Sequence, residues 1–495
     1  MTAVSGSRTA LVALAWNYSG AAANTAVQLG YTAYTARTVL SSAYGAHATS
    51  LAVLQVLTLF SNAGLTTCLL RSERIDRALL RAAWRICAVS GTLSCLAVQA
   101  TAPLCASLWH LPLMEPLLRI LGLQFLVLPA AAVATAALRR CGLARASVAA
   151  DLGGQVAGLT TGALLLALGW NPFGMAAAFP VASTCTLLIG VARLARCGLT
   201  KGERVSARSL IGLSGTFTGY GVLQTTAIQA PLWMTARMLG SAAAGQFARA
   251  NVVVGIPLNL LCQSLHNATT PVLAEAHGRG LPLGPRVRDT LIAASALAFV
   301  PLGVVAGVGP AALAVLLGPG WESASALVPL LALNAAFYFL CSIGYAVDEV
   351  RRAFRGLLVV QASVMAVVLL AVGAATTAGR LGWVPAAMTI GPALGHVLQL
   401  AAWRRAGLVE VLVVLRAHLV HAAIGGSLFV AGQVGACYGQ GPVGATLWGL
   451  LAMVPVLGCW LALRRNVPVF TTAVAHGLIP WPAGRAAGRV PAASE

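Results

Sequence analysis

The sequence predicts an all-α integral membrane protein of about fourteen transmembrane helices, arranged as two six-helix repeats followed by two further helices. Three observations lead there. Of the 495 residues, 58% are hydrophobic and 9% charged, against about 25% charged in soluble domains, so a water-soluble fold would leave apolar surface uncovered. The 32 Lys and Arg outnumber 12 Asp and Glu and punctuate long charge-free runs. A segment near the start of the chain recurs at an offset of 200 residues. A net charge of +20 could suggest nucleic acid, but basic residues spaced between apolar runs read as loops held on the cytoplasmic face. No nucleic-acid partner is expected.

Each span follows from a run of about 20 apolar residues. The first, 10–34, lies in a charge-free stretch ending at Arg37. The second, 44–65, ends before the five arginines from Arg71 to Arg85. Spans 85–108 and 116–138 are separated by the short turn from Trp109 to Glu115 and closed by Arg139 and Arg140. Asn171-Pro172-Phe173-Gly174 divides the next run into 148–169 and 174–193. Spans 210–236, 244–270, 288–316, 322–346, 356–378 and 382–403 follow. Glycines from Gly435 to Gly444 then divide 415–435 from 443–463. The final residues, rich in Pro, Gly, Ala and Arg, read as a tail.

Orientation follows from the loops. With both termini cytoplasmic, every basic residue lies inside except Arg37, Arg119, Arg237, Arg249 and Arg380, and such asymmetry sets topology. A miscounted helix would invert everything after it and spoil that ratio. Basic residues are almost all Arg, with Lys201 the one lysine, and this bias beside abundant Ala, Gly and Val suggests a GC-rich bacterial genome, so the expected location is a bacterial plasma membrane. The eleven cysteines are scattered singly, so neither a disulfide framework nor a metal site is expected. No phosphate-cradling Gly-rich loop ending in Gly-Lys-Ser/Thr is present, and no cofactor is expected.

The repeat is clearest where Thr35, Ala36, Arg37, Ser41, Ala43, Gly45 and Ala48 fall on Thr235, Ala236, Arg237, Ser241, Ala243, Gly245 and Ala248. Pro116-Leu117-Leu118 is echoed by Pro329-Leu330-Leu331, each after a turn containing a Trp. The expected division is an N-terminal lobe 1–208, a C-terminal lobe 209–405, an appended helix pair 406–465 and a cytoplasmic tail 466–495. Inverted or parallel repeats recur in secondary transporters, with substrate held between them.

Thr35-Ala36-Arg37 followed by Tyr44-Gly45 resembles the first-to-second helix junction of bacterial polysaccharide flippases, the Wzx group. Leu239-Gly240 through Gly245-Gln246-Phe247-Ala248-Arg249-Ala250 and Pro257 is similar to their seventh-to-eighth junction, and Gly318-Pro319-Gly320-Trp321 to the turn before their tenth helix. Ser41-Ser42 departs from the Gly-Pro or Gly-acid pair common at that turn. The superfamily also holds lipid II flippases and multidrug extruders. The resemblance implies a non-enzymatic flippase for an undecaprenyl-(pyro)phosphate-linked oligosaccharide. It also implies membrane lipids as surroundings, and glycosyltransferases or a polymerase of the same pathway as candidate protein partners.

Candidate site residues come from polar stripes. The first helix carries Asn17, Asn24, Gln28, Tyr31 and Thr35 on one face. The seventh carries Thr218, Gln224, Thr225, Gln229 and Thr235, and the eighth Asn259, Gln263, His266, Asn267 and Thr270. Lipid offers such groups no hydrogen-bond partner, so they face other helices or a wet cavity, and stripes on three helices favour a shared one. Arg37, Arg237 and Arg249 cluster near the outer ends, where forked guanidinium donors suit phosphate; snorkelling to the interface is the alternative.

Acids separate the competing readings. An exporter of cations works against an inside-negative potential and needs an ion-coupling carboxylate. The first and seventh helices have none. Asp151 is the one coupling candidate, and Arg145 is its expected ion-pair partner. An ion-coupled multidrug or metabolite antiporter is therefore the second reading. A membrane glycan polymerase or ligase is disfavoured by the short external loops. His418 and His421, on one helix face, are expected at the inner end to meet lipid headgroups rather than metal.

Overall fold

The computed structural model describes residues 2–62, 65, 69, 75–197 and 215–475. The described elements are all helical, with no strand among them. They are α1 (Thr2–Thr38), α2 (Ser41–Asn62), α3 (Arg77–Trp109), α4 (Met114–Gly122), α5 (Leu128–Arg140), α6 (Ala144–Ala167), α7 (Phe173–Leu194), α8 (Gly215–Leu239), α9 (Ser241–Gly278), α10 (Gly284–Leu317), α11 (Glu322–Val350), α12 (Phe354–Thr377), α13 (Trp383–Arg405), α14 (Val411–Ala436), α15 (Gly441–Ala462) and the short α16 (Pro468–Ala475). Each of the fourteen expected spans has its helix, α4 and α5 together forming the fourth around a 3-10 turn at Leu123–Leu126. The tail beyond residue 475 and the loop at 198–214 lie outside the described residues.

Ten spans among the described residues are long and apolar enough to cross a membrane. Those outside that set are α1, α6, α8 and α9. Three of these carry the polar stripes of the sequence, and the fourth carries Asp151 and Gln155. Polar content that lowers their fitness for lipid marks helices whose faces are spent on one another. The opposite extreme is α15, with Gly449 and Met453 as its buried residues, a helix lying at the periphery.

Packing repeats along the chain. In the first half α1 packs on α6, α6 on α7, α5 on α7, α3 on α4 and α2 on α4. In the second half α8 packs on α12, α12 on α13, α11 on α13, α10 on α11 and α9 on α11. The halves meet mainly through α2 with α9 and α8, and through α1 with α10. At the centre of that seam a Cβ on Gly45 would run into the Ser241 carbonyl oxygen, and one on Gly245 into that of Ser41. This reciprocal approach at an offset of 200 places the two helix starts back to back, a separation only Gly permits. α14 packs on α10 and carries α15.

Local signals set the ends. Asp76 caps α3, its carboxylate accepting from the Leu79 amide at 2.7 Å. Gly318 and Gly320 adopt φ of 83° and 88°, a left-handed backbone that side chains resist, and this tight turn delivers Trp321 to the start of α11. Small residues align α6 with α7: a Cβ at Gly154, Gly158 or Gly162 would meet atoms of Thr186, Ala178 and Ala182. Such four-residue spacing of glycines is the close-packing pattern of membrane helices.

Candidate functional site

The seam between the halves closes at one face, here called the opposite face because the arginine-rich ends of α5, α7 and α13 lie at the other, basic one. Arg37 on α1 donates from Nη2 to the Val315 carbonyl of α10 at 3.2 Å. Trp321 Nε1 donates to the Ala36 carbonyl at 3.0 Å, and Trp109 Nε1 to that of Trp233 at 3.1 Å. The two Trp bonds are counterparts: Trp109 ends α3 and Trp321 follows α10, and they reach the last two turns of α8 and of α1. Gln229 to Gln55, at 2.7 Å, is a further bond between the halves, at mid-depth.

Arg249 is the core of this closure. It is 2% exposed and donates from Nη2 to Thr35 Oγ1 at 2.7 Å. Thr35 directs its own hydroxyl proton to the Tyr31 carbonyl, leaving its oxygen free to accept. The guanidinium carbon lies 3.6 Å from the Tyr44 ring centre and 5.4 Å from that of Trp321. Gln246 holds this arrangement, donating to the Gly320 carbonyl at 2.7 Å and accepting from the Ala324 amide at 3.0 Å. Among the described residues no carboxylate pairs with Arg249, and its Nε has no partner. Desolvated cation–π contact supplies about 2 kcal/mol, while stripping an ion of water costs several. The site is therefore incompletely compensated and suited to an anion.

The structure does not bring the three arginines onto a common partner. Arg37 is exposed and bonded to backbone carbonyls. Arg237, at the corresponding end of α8, is exposed with no bond among the described residues. Arg249 alone is enclosed.

Each half holds an open cavity with polar groups in a largely apolar wall. The larger, about 520 Å³, lies among α1, α5, α6 and α7 and is lined by Asn24, Gln124, Thr135, Arg139, Asp151 and Gln155, with others. The second, about 210 Å³, lies among α8, α9, α11, α12 and α13 and includes Gln224, Asn251, Asn259, Asn334, Tyr338 and Gln361. Asn24 and Gln224, paired at the sequence offset, thus face corresponding cavities. Gln224 donates to the Tyr338 hydroxyl at 3.4 Å, while Asn24 Oδ1, Asn334 Oδ1 and Gln361 Oε1 lack partners. Gln28 and Gln263 are exposed and line neither cavity. The side chains of Asn17, Thr218 and Asn267 lie outside the described residues.

Two expectations need correction. Asp151 pairs with Arg139, at 2.8 Å, not with Arg145, because the end of α5 brings Arg139 to the same cavity whereas Arg145, six residues earlier on α6, lies on a different face of that helix. His418 and His421 do not meet headgroups: they are 9% and 0% exposed, turned inward against α13 and α10. The sequence reading also missed Tyr44 and Trp321 as walls around Arg249, and Gln155, which stands one helical turn from Asp151.

The sequence model for "Polysaccharide biosynthesis protein" matches residues 35–326. No curated protein matches the chain. Among solved structures it is similar to a lipid II flippase in an inward closed conformation, with a TM-score of 0.66 and 10% identity, covering 92% of this chain and 100% of that one. It is also similar to a multidrug resistance transporter in an inward-facing conformation, with a TM-score of 0.63 and 15% identity over 78% of this chain and 94% of that one. The outward-facing form of a multidrug resistance transporter gives 0.54, at 15% identity, over 80% and 95%. At these identities the likeness establishes a shared multi-pass membrane fold.

Proposed function

The chain belongs to the polysaccharide biosynthesis protein family, and we propose that it is a flippase moving an undecaprenyl-(pyro)phosphate-linked oligosaccharide across a bacterial plasma membrane. Its lobes, 1–208 and 209–405, rock about the α2–α9 seam, both termini facing the cytoplasm. The observation that carries this reading is Arg249, a buried cation on that seam with no carboxylate opposing it among the described residues. Phosphate oxygens would supply the missing charge, and opening the seam would present the guanidinium to them. Asn24 and Gln224 offer hydrogen bonds to glycan hydroxyls from the two cavities. Arg37 and Arg237 at the rim attract the headgroup, and Gln28 and Gln263, exposed outside both cavities, are the proposed further contacts for the glycan. Glycosyltransferases or a polymerase of the same pathway are the proposed protein partners.

The test is translocation in proteoliposomes of a fluorescent polyprenyl-diphosphate-linked oligosaccharide, read by chemical quenching of the outer leaflet. Protein-dependent loss of the protected fraction is expected. A specific observation favours a second reading, an ion-coupled antiporter: Asp151 opens onto the larger cavity. Export of a cationic dye driven by an ion gradient, without lipid translocation, would replace the first reading by the second.

A further inference from the structure

Three histidines outside the site described above meet where α14 packs against the second half. His396 on α13 and His418 on α14 place their Nε2 atoms 3.0 Å apart, with rings stacked at 5.2 Å and 28°. One turn further along α14, His421 Nδ1 lies 2.6 Å from Ser295 Oγ on α10. All three rings are buried, at 3%, 9% and 0% exposure. Ionisable groups inside membrane helices are rare and mark function by default.

Hydrogen-bond bookkeeping fixes what the cluster can accept. In the tautomer where Ser295 gives its hydroxyl proton to the Ile292 carbonyl at 2.9 Å, His421 donates from Nδ1 and its Nε2, which has no partner, is left as a bare lone pair. Between His396 and His418 one Nε2 carries hydrogen and the other accepts it. The donating ring then has a bare Nδ1, and neither Nδ1 of the pair has a partner. The cluster thus holds two unused lone pairs, one on the stacked pair and one on His421, each able to take a proton without breaking an existing bond. A second proton on the stacked pair has no place except by separating the rings.

No ionised group nearby offsets that charge. From α10 the cluster faces Ser295 and the edge of Phe299, 6.4 Å from His418. From α13 it faces Gln399, whose Nε2 donates to the Cys341 carbonyl of α11 while its Oε1 is left without a partner, a neutral acceptor beside His396 that carries no charge; the Cys341 thiol is in turn bonded to Tyr345. Asp348 on α11, toward the basic face, is held by Trp403 at 2.8 Å and Arg351 at 3.5 Å. The Arg288–Asp289 pair lies two turns along α10 from Ser295, and Glu410 and Arg416 on the α14 side are exposed. α15 and α16 bring no charged side chain. Toward the opposite face α10, α13 and α14 carry none either. A proton bound here is an uncompensated cation in the joint between α14 and the rest of the molecule, and buried charge without a counterion weakens the packing that encloses it.

We propose that His396, His418 and His421, with Ser295, form a proton-binding site whose occupation loosens α14 from α10 and α13. Bound protons then set how readily the appended pair moves against the second half, independently of the substrate. The test uses the full chain in lipid nanodiscs, with melting followed by tryptophan emission at about pH 8 and about pH 5.5, which bracket imidazole titration. The wild-type melting temperature should fall by about 3 °C or more on acidification. His396→Gln and His418→Gln should each keep less than half of that fall, and His266→Gln, an exposed control on α9, all of it. A wild-type protein insensitive to pH, or both variants retaining the full fall, overturns the proposal. The pair is probed from two helices, so a variant that fails to fold leaves the other, and the wild-type profile, to decide.

Discussion

At Arg249 one side chain joins four helices: its own α9, Thr35 of α1, Tyr44 of α2 and Trp321 at the N-cap of α11. On the proposed function, two demands meet there. The closed seam needs a flat cation to stack on rings, and an anionic substrate needs a fork of donors; guanidinium meets both and an ammonium meets neither well. Arg249→Ala is therefore expected to abolish complementation of a flippase-deficient strain at normal membrane abundance, and Arg249→Lys to restore a small part. Full complementation by the Ala variant would reduce Arg249 to a packing residue. Asp151 calls for the opposite expectation. Its pair with Arg139 is about half exposed on both sides, at 41% and 50%, so Asp151→Asn should cost less than about 1 kcal/mol of stability. If the lipid-linked reading holds, that variant also translocates at a near wild-type rate in proteoliposomes; a complete loss would make Asp151 the coupling group.

At the scale of helices, the α2–α9 crossing is the tightest joint between the halves. Gly45→Ala and Gly245→Ala each push a methyl group into the partner backbone, and overpacking of this kind costs about 1–3 kcal/mol. Each variant should melt lower than wild type, and the double variant by less than the sum, since both insertions separate the same two helices. Strict additivity would show that the helices do not share one joint. Both glycines were visible in the sequence as partners at an offset of 200, because a duplicated contact leaves identical residues at its centre. The spans were equally legible, since a bilayer sets their length and their chemistry. Pairings were not. His418 and His421 read as an inner-end pair because an almost wholly apolar helix gives no periodicity from which to choose its buried side, and the rotation of α14 about its axis is set by α10 and α13. Arg139 and Asp151 likewise sit on separate helices, and only the packing of α5 and α6 around one cavity brings them together. The enclosed Arg249 was legible as a costly cation, but the ring walls around it depend on the turn at Gly318–Trp321, whose direction no local signal fixes.

For the whole molecule the distribution of charge decides what can drive transport. Apart from Asp151, the cavities contain no carboxylate among the described residues, and Asp151 is already engaged by Arg139. The seam instead offers Arg249, with Arg37 and Arg237 at its rim. A headgroup bearing two negative charges moves outward down an inside-negative potential with a gain of about 4.6 kcal/mol per 100 mV, enough to bias a two-state rocking cycle by more than a thousandfold. A cationic cargo moving the same way would lose that amount per two charges and would need an ion flowing back through a free carboxylate. Translocation of a polyprenyl-diphosphate-linked oligosaccharide in proteoliposomes should therefore slow strongly when an ionophore collapses the potential, and little when only the pH difference is removed at constant bulk pH. Holding bulk pH constant keeps the histidine cluster in one protonation state, which separates its influence on rate from any role of protons as the driving ion. Slowing on loss of the pH difference alone would place the driving force on a proton and return Asp151 to the centre of the mechanism.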